Sequence, residues 1–326
     1  MTTFLTDADV RAVFDWPSAI TALRVAYSAP ADVARFPSRA VARGDGVWLR
    51  TLSGIPANGA LMGAKLIAAS MTNRSVTYLI PLFDQETAEL VALLDGNAVT
   101  GFRTAATSAL AAGILTPDKP LRLGVIGSGF EAQHHVRALA ATRELSAITV
   151  FSPNPASRAR FTERLADLAV TLTSAESAPA ATAGADLVVC AGRSRDEQPT
   201  LRGAWLEPGM TVVSIGSTLP EQREVDAEVI ERAELIVADQ VDEVACDTGD
   251  MIAAKYAGVV FDDKLVPLGD VVAGRVSGRP SPDGVVLYKS VGAAIQDLAV
   301  AAMCVRRAAE WQAGTPLPVS ISPVRK

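Results

Sequence analysis

Histidine is almost absent: the 326 residues include two, adjacent at His134 and His135. A metal site built from several imidazoles is therefore not expected. Cysteine is nearly as scarce. Cys190, Cys246 and Cys304 are widely spaced, cannot all pair and lack metal-ligand spacing, so buried reduced thiols are expected. Apolar residues make up 49% of the chain, yet they form no uninterrupted run of the kind that spans a bilayer. The amino terminus, Met-Thr-Thr-Phe-Leu-Thr-Asp-Ala-Asp, has no positive region followed by an apolar stretch. A secretory signal is not expected, and a cytoplasmic location is. The net charge of -6 supplies no basic footprint for nucleic acid. Small, anionic ligands are the expected partners, with neither nucleic acid nor membrane among them.

What is present is most legible between Leu121 and Ala132. An apolar strand runs into Gly127-x-Gly129-x-x-Ala132 and then into a helix expected over Glu131 to Ala141. Gly127 suits a tight turn, Gly129 lets backbone N–H groups approach a pyrophosphate, and Ala132 lets the helix pack closely on the strand. The helix N-terminus then points its positive end at the phosphates. Gly127, Ser128, Gly129, Phe130 and Glu131 are thus candidate cofactor residues. A second strand, Ala147 to Phe151, falls where the first strand–helix–strand unit should return.

The end of that strand separates NAD from NADP enzymes. An acid there accepts from the ribose 2′-hydroxyl, whereas a cation in its absence accommodates a 2′-phosphate. This chain reads Phe151-Ser152-Pro153-Asn154-Pro155-Ala156-Ser157-Arg158, with no acid. Ser152, Asn154, Ser157 and Arg158 are therefore expected to hold a 2′-phosphate, giving NADP(H) as the preferred cofactor with NAD(H) left open. The alternative reading makes Arg158 and Arg160 solvated helix charges only.

From Leu121 onward, apolar runs alternate with helical stretches. Leu123–Ile126, Ile148–Phe151, Leu187–Cys190, Thr211–Ile215 and Leu235–Ala238 predict a Rossmann-type doubly wound parallel sheet in an α/β fold. Ligands in such sheets bind beyond the carboxyl ends of the strands, which singles out Ala191-Gly192-Arg193, Gly216-Ser217-Thr218 and Asp239-Gln240. Residues 1 to 117 read instead as a mostly antiparallel α+β domain: a helix from Asp7, then strands near Arg39–Val41, Gly46–Thr51, Met62–Ala68, Thr77–Asp84 and Glu89–Asp95. Thr116-Pro117-Asp118-Lys119-Pro120 marks the boundary. The Rossmann domain is expected over 118–300. An Ala-rich helix from Gly292 to Ala313 begins a return of the chain, with residues 301–326 packing back on the first domain.

Several blocks then occur in order: Leu94-Asp95-Gly96-Asn97-Ala98-Val99-Thr100-Gly101-Phe102-Arg103-Thr104-Ala105-Ala106, the Gly127 motif, Gly216-Ser217-Thr218-Leu219-Pro220 with Arg223-Glu224-Val225-Asp226, Thr248-Gly249-Asp250, Leu268-Gly269-Asp270, and Lys289-Ser290-Val291-Gly292 with Gln296-Asp297. Together they resemble the ornithine cyclodeaminase and mu-crystallin family over nearly the whole chain. The resemblance implies two domains, a homodimer formed through the first-domain sheet, and use of a nicotinamide cofactor to interconvert amino acids and imines. Members include cyclising deaminases, amino-acid dehydrogenases, ketimine reductases, opine-type synthases and a thyroid-hormone-binding protein.

Carried onto this chain, the resemblance makes Arg103 the carboxylate-binding arginine and Lys65 an active-site lysine. Arg39 matches more loosely. A guanidinium grips a carboxylate with two parallel hydrogen bonds, and a lysine among apolar neighbours has a lowered pKa and can move protons. Thr104, read as lying at a helix start, either donates to a cofactor phosphate or caps the helix. Ser290 and Gly292 match the block near the nicotinamide, and Ser217 joins the cofactor set. Asp297 either organises the site or caps a packing contact. His134 and His135 read as packing or solvent-facing residues.

Two departures bear on the reaction. Where cyclodeaminases carry a proton-shuttling aspartate, this chain has Thr218, whose hydroxyl cannot serve as that base. Where they carry a glutamate for the distal amine, it reads Val47-Trp48-Leu49-Arg50. Ornithine cyclodeamination is disfavoured. The expected activity is NADPH-dependent reduction of a cyclic 2-imino acid such as 1-pyrroline-2-carboxylate or 1-piperideine-2-carboxylate, with Lys65, or water held by Ser217 or Thr218, supplying the proton. An opine-type or simple amino-acid dehydrogenase and a non-catalytic binding protein remain as alternatives.

Overall fold

The computed structural model describes residues 2–192, 198–318 and 321–324; Arg193 lies outside the described residues. Strand β1 (Thr3–Leu5) leads into α1 (Asp7–Val13), where Thr6 and Asp9 cap one another's backbone N–H groups. Asp15 caps α2 (Trp16–Ser28), with Pro17 in its first turn. Five strands follow: β2 (Ala40–Gly44), β3 (Val47–Gly54), β4 (Leu61–Ser70), β5 (Ser75–Asp84) and β6 (Leu90–Asp95). Helix α3 (Gly96–Leu115) comes next.

The middle of the chain alternates more regularly. It contains β7 (Leu121–Ile126), α4 (Phe130–Ala140), β8 (Leu145–Phe151), α5 (Pro155–Arg164), β9 (Thr171–Ser174) and α6 (Ala178–Thr182). Then come β10 (Leu187–Cys190), β11 (Thr211–Ser214), α7 (Ala227–Arg232), β12 (Ala233–Ala238), α8 (Val241–Asp247) and α9 (Gly249–Tyr256). Strand β13 (Leu265–Pro267), α10 (Leu268–Val272) and β14 (Val285–Lys289) complete this part, and α11 (Ala294–Trp311) and β15 (Thr315–Pro316) close the chain.

The chain divides into two compact units, residues 1–107 with 293–326, and residues 108–292. The first division falls inside α3, upstream of Thr116–Pro120; the second falls just before α11, upstream of residue 300.

In the first unit, seven strands form a sheet in the order β15-β1-β6-β5-β4-β3-β2, antiparallel except for the β1–β6 pair. Alternation fixes its two faces. Trp48, Arg50, Leu52 and Gly54 of β3 register with Ala69, Ile67, Lys65 and Gly63 of β4 on one face. Leu52, Ile67 and Ala294 form a core there with Phe36, Trp48 and Tyr78. Gly63 lets α11 come close, because a methyl group there would meet Leu298 at 3.2 Å and collide with the Pro81 carbonyl. The opposite face carries Val47 and Leu49, 50% and 47% exposed, beside Ala42, Ala68 and Thr77.

The second unit is built on eight parallel strands in the order β13-β12-β14-β11-β10-β7-β8-β9. Strands β10, β11 and β14 are buried at every position, as parallel strands covered on both faces must be. The order reverses beside β7, which opens a crevice at the carboxyl ends of β7 and β10. Three strands of this sheet, β9, β13 and β14, lie outside the runs that alternation singles out. Helix α3 has the length and mean hydropathy of a membrane span, but 78% of its apolar window is buried inside the protein.

Candidate active site

Lys65 sits in the middle of β4 on the face covered by α11, and Arg103 sits in the second turn of α3. The start of α3 is anchored from a distance, because the Asp7 carboxylate accepts from the Ala98 N–H at 2.9 Å. Both cations converge on one acid. Lys65 Nζ donates to Asp297 Oδ1 at 2.8 Å, and Arg103 Nε lies 2.9 Å from the same oxygen. The preceding residue of α11, Gln296, accepts from Arg103 Nη1 and donates to the Tyr27 hydroxyl at 2.9 Å. All these side chains are buried.

Burial pushes Lys65 down to about 8, and the positive charge of Arg103 adds to that effect. Asp297 opposes the shift, while Arg39 reinforces it. The structure therefore places Arg103 and Arg39, the other two expected cations of the first unit, within electrostatic reach of Lys65. Arg50 shares the Lys65 face and lies over the Trp48 ring at 5.1 Å.

Thr104 is not at a helix start and does not cap one. Helix α3 begins at Gly96, so Thr104 stands well inside it, and its hydroxyl donates to the Thr100 carbonyl at 2.8 Å.

In the second unit, Gly127 adopts φ +113°, and a Cβ there would lie 2.7 Å from the Ala191 backbone. Only glycine satisfies both conditions. At Gly129, the N-cap of α4, a Cβ would meet nothing within 4 Å, so open space faces the first backbone N–H groups of an eleven-residue helix. Those features fit a dinucleotide pyrophosphate. Ser128 and Ser152, at the ends of β7 and β8, share a hydrogen bond of 2.8 Å. They open onto a cleft of about 750 Å³, lined also by Gly129, Phe130, Gln133, Asn154, Ser157, Arg160 and Arg164.

The expected 2′-phosphate set is only partly in that cleft. Arg158 is buried, not exposed to it: its guanidinium donates to the Ser152 carbonyl at 2.6 Å and to Ser174 Oγ at 3.0 Å, and pairs with Glu176 at 3.2 Å. It braces the end of β8. Arg160 and Arg164 take the cleft instead, because Ser157, Arg160 and Arg164 fall on one face of α5 and Arg158 and Phe161 on the buried one. Arg160 donates to Ser157 Oγ at 3.0 Å, and Arg164 to Gln133 Oε1 at 3.3 Å. Asn154 caps α5 by accepting from Ala156 and Ser157. Glu131 stands in the first turn of α4, outside the cleft lining.

The strand-end loops hold themselves together. Ser217 is buried and donates to the Gln222 carbonyl at 2.8 Å, while Thr218 donates its hydroxyl and N–H to Gln222 Oε1 at 3.3 and 2.9 Å. Each hydroxyl gives its one hydrogen to Gln222 and keeps its lone pairs to accept from a water. Asp239 accepts from Ser290 Oγ at 2.6 Å, Val291 N–H at 3.0 Å and Gly292 N–H at 2.8 Å, fixing the loop in which Gly292 has φ +83°.

Beneath them lies a charged network that sequence reasoning did not find. Lys289, at the end of β14, donates to Ser214 Oγ and lies 2.8 Å from Asp250 Oδ2. Ser214 donates to Glu224 Oε2, which also accepts from the Gly216 N–H at 2.7 Å. Burial raises Glu224 to about 7, against the opposing pull of Lys289 and those hydrogen bonds.

His135 is fully buried against Ser108, and burial lowers it to about 4; His134 bonds the Phe130 carbonyl on the surface. Cys190 and Cys304 are buried, but Cys246 is exposed at the polar end of α8, contrary to the expectation for all three thiols. Among the described residues, no group of three or more His, Cys, Asp or Glu is arranged to hold a metal.

Comparison with known proteins agrees with this architecture. A Delta(1)-pyrroline-2-carboxylate reductase of Paracoccus denitrificans (strain Pd 1222) is 28% identical over 314 residues, covering 93% of this chain and 96% of that protein. The ketimine reductase mu-crystallin of Mus musculus is 28% identical over 222 residues, covering 68% of this chain and 66% of that protein. The crystal structure of a probable ornithine cyclodeaminase from Bordetella pertussis Tohama I superposes with a TM-score of 0.85 at 30% identity, covering 97% of this chain and all of the other. The Delta(1)-pyrroline-2-carboxylate reductase of Thermococcus litoralis, solved with NADH and L-proline, gives 0.88 at 25% identity over 97% of this chain and 100% of that one. The family model matches residues 51–312, and the chain belongs to the ornithine cyclodeaminase/mu-crystallin family.

Proposed function

We propose that this protein is an NADP(H)-dependent reductase of cyclic 2-imino acids such as 1-pyrroline-2-carboxylate. The observation that carries the reading is the buried meeting of Lys65 and Arg103 in the first unit, in a chain with Thr218 where a cyclising enzyme needs an acid. Arg103 holds the substrate carboxylate, with Arg39 adding positive charge. Lys65, at about 8, is mostly an ammonium at neutral pH and gives its proton to the imine nitrogen. Ser217 and Thr218 give their hydroxyl hydrogens to Gln222, which leaves Lys65 as the direct donor. The names of the Paracoccus, Thermococcus and mouse relatives support imine reduction.

The second unit supplies the cofactor site. Gly127, Ser128, Gly129 and the start of α4 receive the pyrophosphate, and Ser152, Asn154, Ser157, Arg160 and Arg164 receive the 2′-phosphate. When bound, the dinucleotide supplies the hydride. Two copies of the chain pair through the apolar open face around Val47 and Leu49, and sedimentation of the purified protein tests that pairing.

The deciding experiment follows loss of reduced-nicotinamide absorbance with pyrroline-2-carboxylate, piperideine-2-carboxylate, and pyruvate with or without amines, beside an ornithine control. Turnover of the cyclic imines is expected. Reaction only with the open-chain acid and an amine would replace this reading with an opine-type or amino-acid dehydrogenase. Proline formed from ornithine would show that Thr218 does not prevent cyclisation, and no turnover would indicate a binding protein.

A further inference from the structure

The first turn of α11 brings an acid into a site whose other groups are cations. Asp297 Oδ1 alone contacts Lys65 Nζ at 2.8 Å and Arg103 Nε at 2.9 Å, with side-chain exposures of 0%, 2% and 8%. These residues are distant in sequence, and each stands on a different element: β4, α3 and α11. Without the carboxylate, two positive groups would face each other in a dry environment with Arg39 beside them.

We propose that Asp297 is a positioning residue of the imine reduction, the shared anchor that sets Lys65 and Arg103 at a fixed distance so that one holds the carboxylate while the other faces the nitrogen. The inference rests on the reductase reading above. Three features make the anchor rigid. Asp297 lies at a helix N-terminus, where the helix field favours an anion. Its neighbour Gln296 orients the same guanidinium through Nη1, and Tyr27 fixes that amide by accepting from Nε2. Gly63 brings α11 near enough to β4 for the acid to reach Lys65. Asp297 also bears on the charge of Lys65: Asp297 opposes burial, Arg103 and Arg39, so the ammonium persists at neutral pH.

The test compares the wild type with D297N and D297E. Imine reduction is measured across pH, NADPH binding by fluorescence, and binding of pyrrole-2-carboxylate, a planar acid that cannot be reduced, by calorimetry. D297N should bind NADPH as the wild type does, lose on the order of a hundredfold in kcat/KM, and move the alkaline limb of the profile down by about one pH unit or more. D297E should restore part of the rate and return the limb towards its original pH. An alkaline limb that stays in place in both variants overturns the proposal, even if the rate falls, because a purely structural residue would not move it.

If D297N does not fold, D297S takes its place: a limb displaced downward supports the proposal and an unmoved limb overturns it. If the wild type binds NADPH but reduces no imine, the reductase reading fails by itself. The anchor is then judged on pyrrole-2-carboxylate, with weakened binding to D297N supporting it and unchanged binding overturning it.

Discussion

Lys289 Nζ lies 2.8 Å from Asp250 Oδ2, and both side chains are completely buried. Asp250 Oδ1 also accepts from the Glu224 N–H at 2.7 Å, so the pair ties β14 and α9 to the loop after β11. A buried ion pair contributes little relative to an apolar replacement, but removing one partner leaves an uncompensated charge. Lys289→Met should therefore lower stability by about 3–5 kcal/mol in urea unfolding. Adding Asp250→Leu should recover part of the loss. Equal instability of the single and double variants would mean that packing, not charge, dominates there.

Glu224 gives the same network a pH dependence. Its folded value of about 7 lies above the ordinary 4.5, chiefly because it is buried. A raised carboxyl value means that the native state holds the proton more tightly than the unfolded chain. The resulting stabilisation is full below pH about 4.5 and is lost as pH rises through about 7. Glu224→Gln keeps a neutral group in place and removes that loss. Melting curves at about pH 5 and about pH 8 should show a smaller drop for the variant than for the wild type. Parallel drops would assign the pH dependence to other groups.

The parts of this molecule legible in the sequence are those whose cause is local. Gly127 announces a tight turn and adopts φ +113°, and Gly129 leaves open space at the start of α4. Strand β14 is harder to read: Val285 to Tyr288 is apolar, but the run ends in Lys289 after a Pro- and Gly-containing loop, and only Asp250 and Ser214 show why a lysine belongs inside a sheet. Arg158 and Arg160 cannot be ranked by composition. Helical phase separates them, and the spacing of Ser157, Arg160 and Arg164 was the available signal. Asp297 was visible as an acid next to Gln296, but its two partners stand in strands and helices hundreds of residues upstream, a relation that only tertiary structure creates.

The helical phase of α5 determines which substitutions should alter cofactor choice. Arg160 and Arg164 line the cleft at the end of β8, whereas Arg158 supports the strand end from beneath. A charge-assisted hydrogen bond to a phosphate contributes about 1.5–3 kcal/mol. Joint replacement of Arg160 and Arg164 by Ala should raise KM for NADPH by roughly a hundredfold or more while leaving KM for NADH nearly unchanged. Arg158→Ala should instead lower the melting temperature and weaken both cofactors alike. Selective loss of NADPH in Arg158→Ala would restore that residue to the phosphate site.

Lys65 provides the sharpest test of the proposed chemistry, because its proton is the one the imine nitrogen receives. Burial, Arg103 and Arg39 lower its value from 10.5 to about 8, with Asp297 pulling the other way. The protonated fraction, and with it kcat/KM for imine reduction, should stay level near neutrality and fall tenfold per pH unit above about 8. Lys65→Met should abolish that limb together with most of the rate. Lys65→Arg should keep the positive charge while delivering protons poorly, since a guanidinium does not deprotonate in this range. Substrate binding should therefore survive in Lys65→Arg while kcat collapses, a split that steady-state kinetics over pH resolves. A full rate in Lys65→Arg with the limb still near pH 8 would place the donor elsewhere.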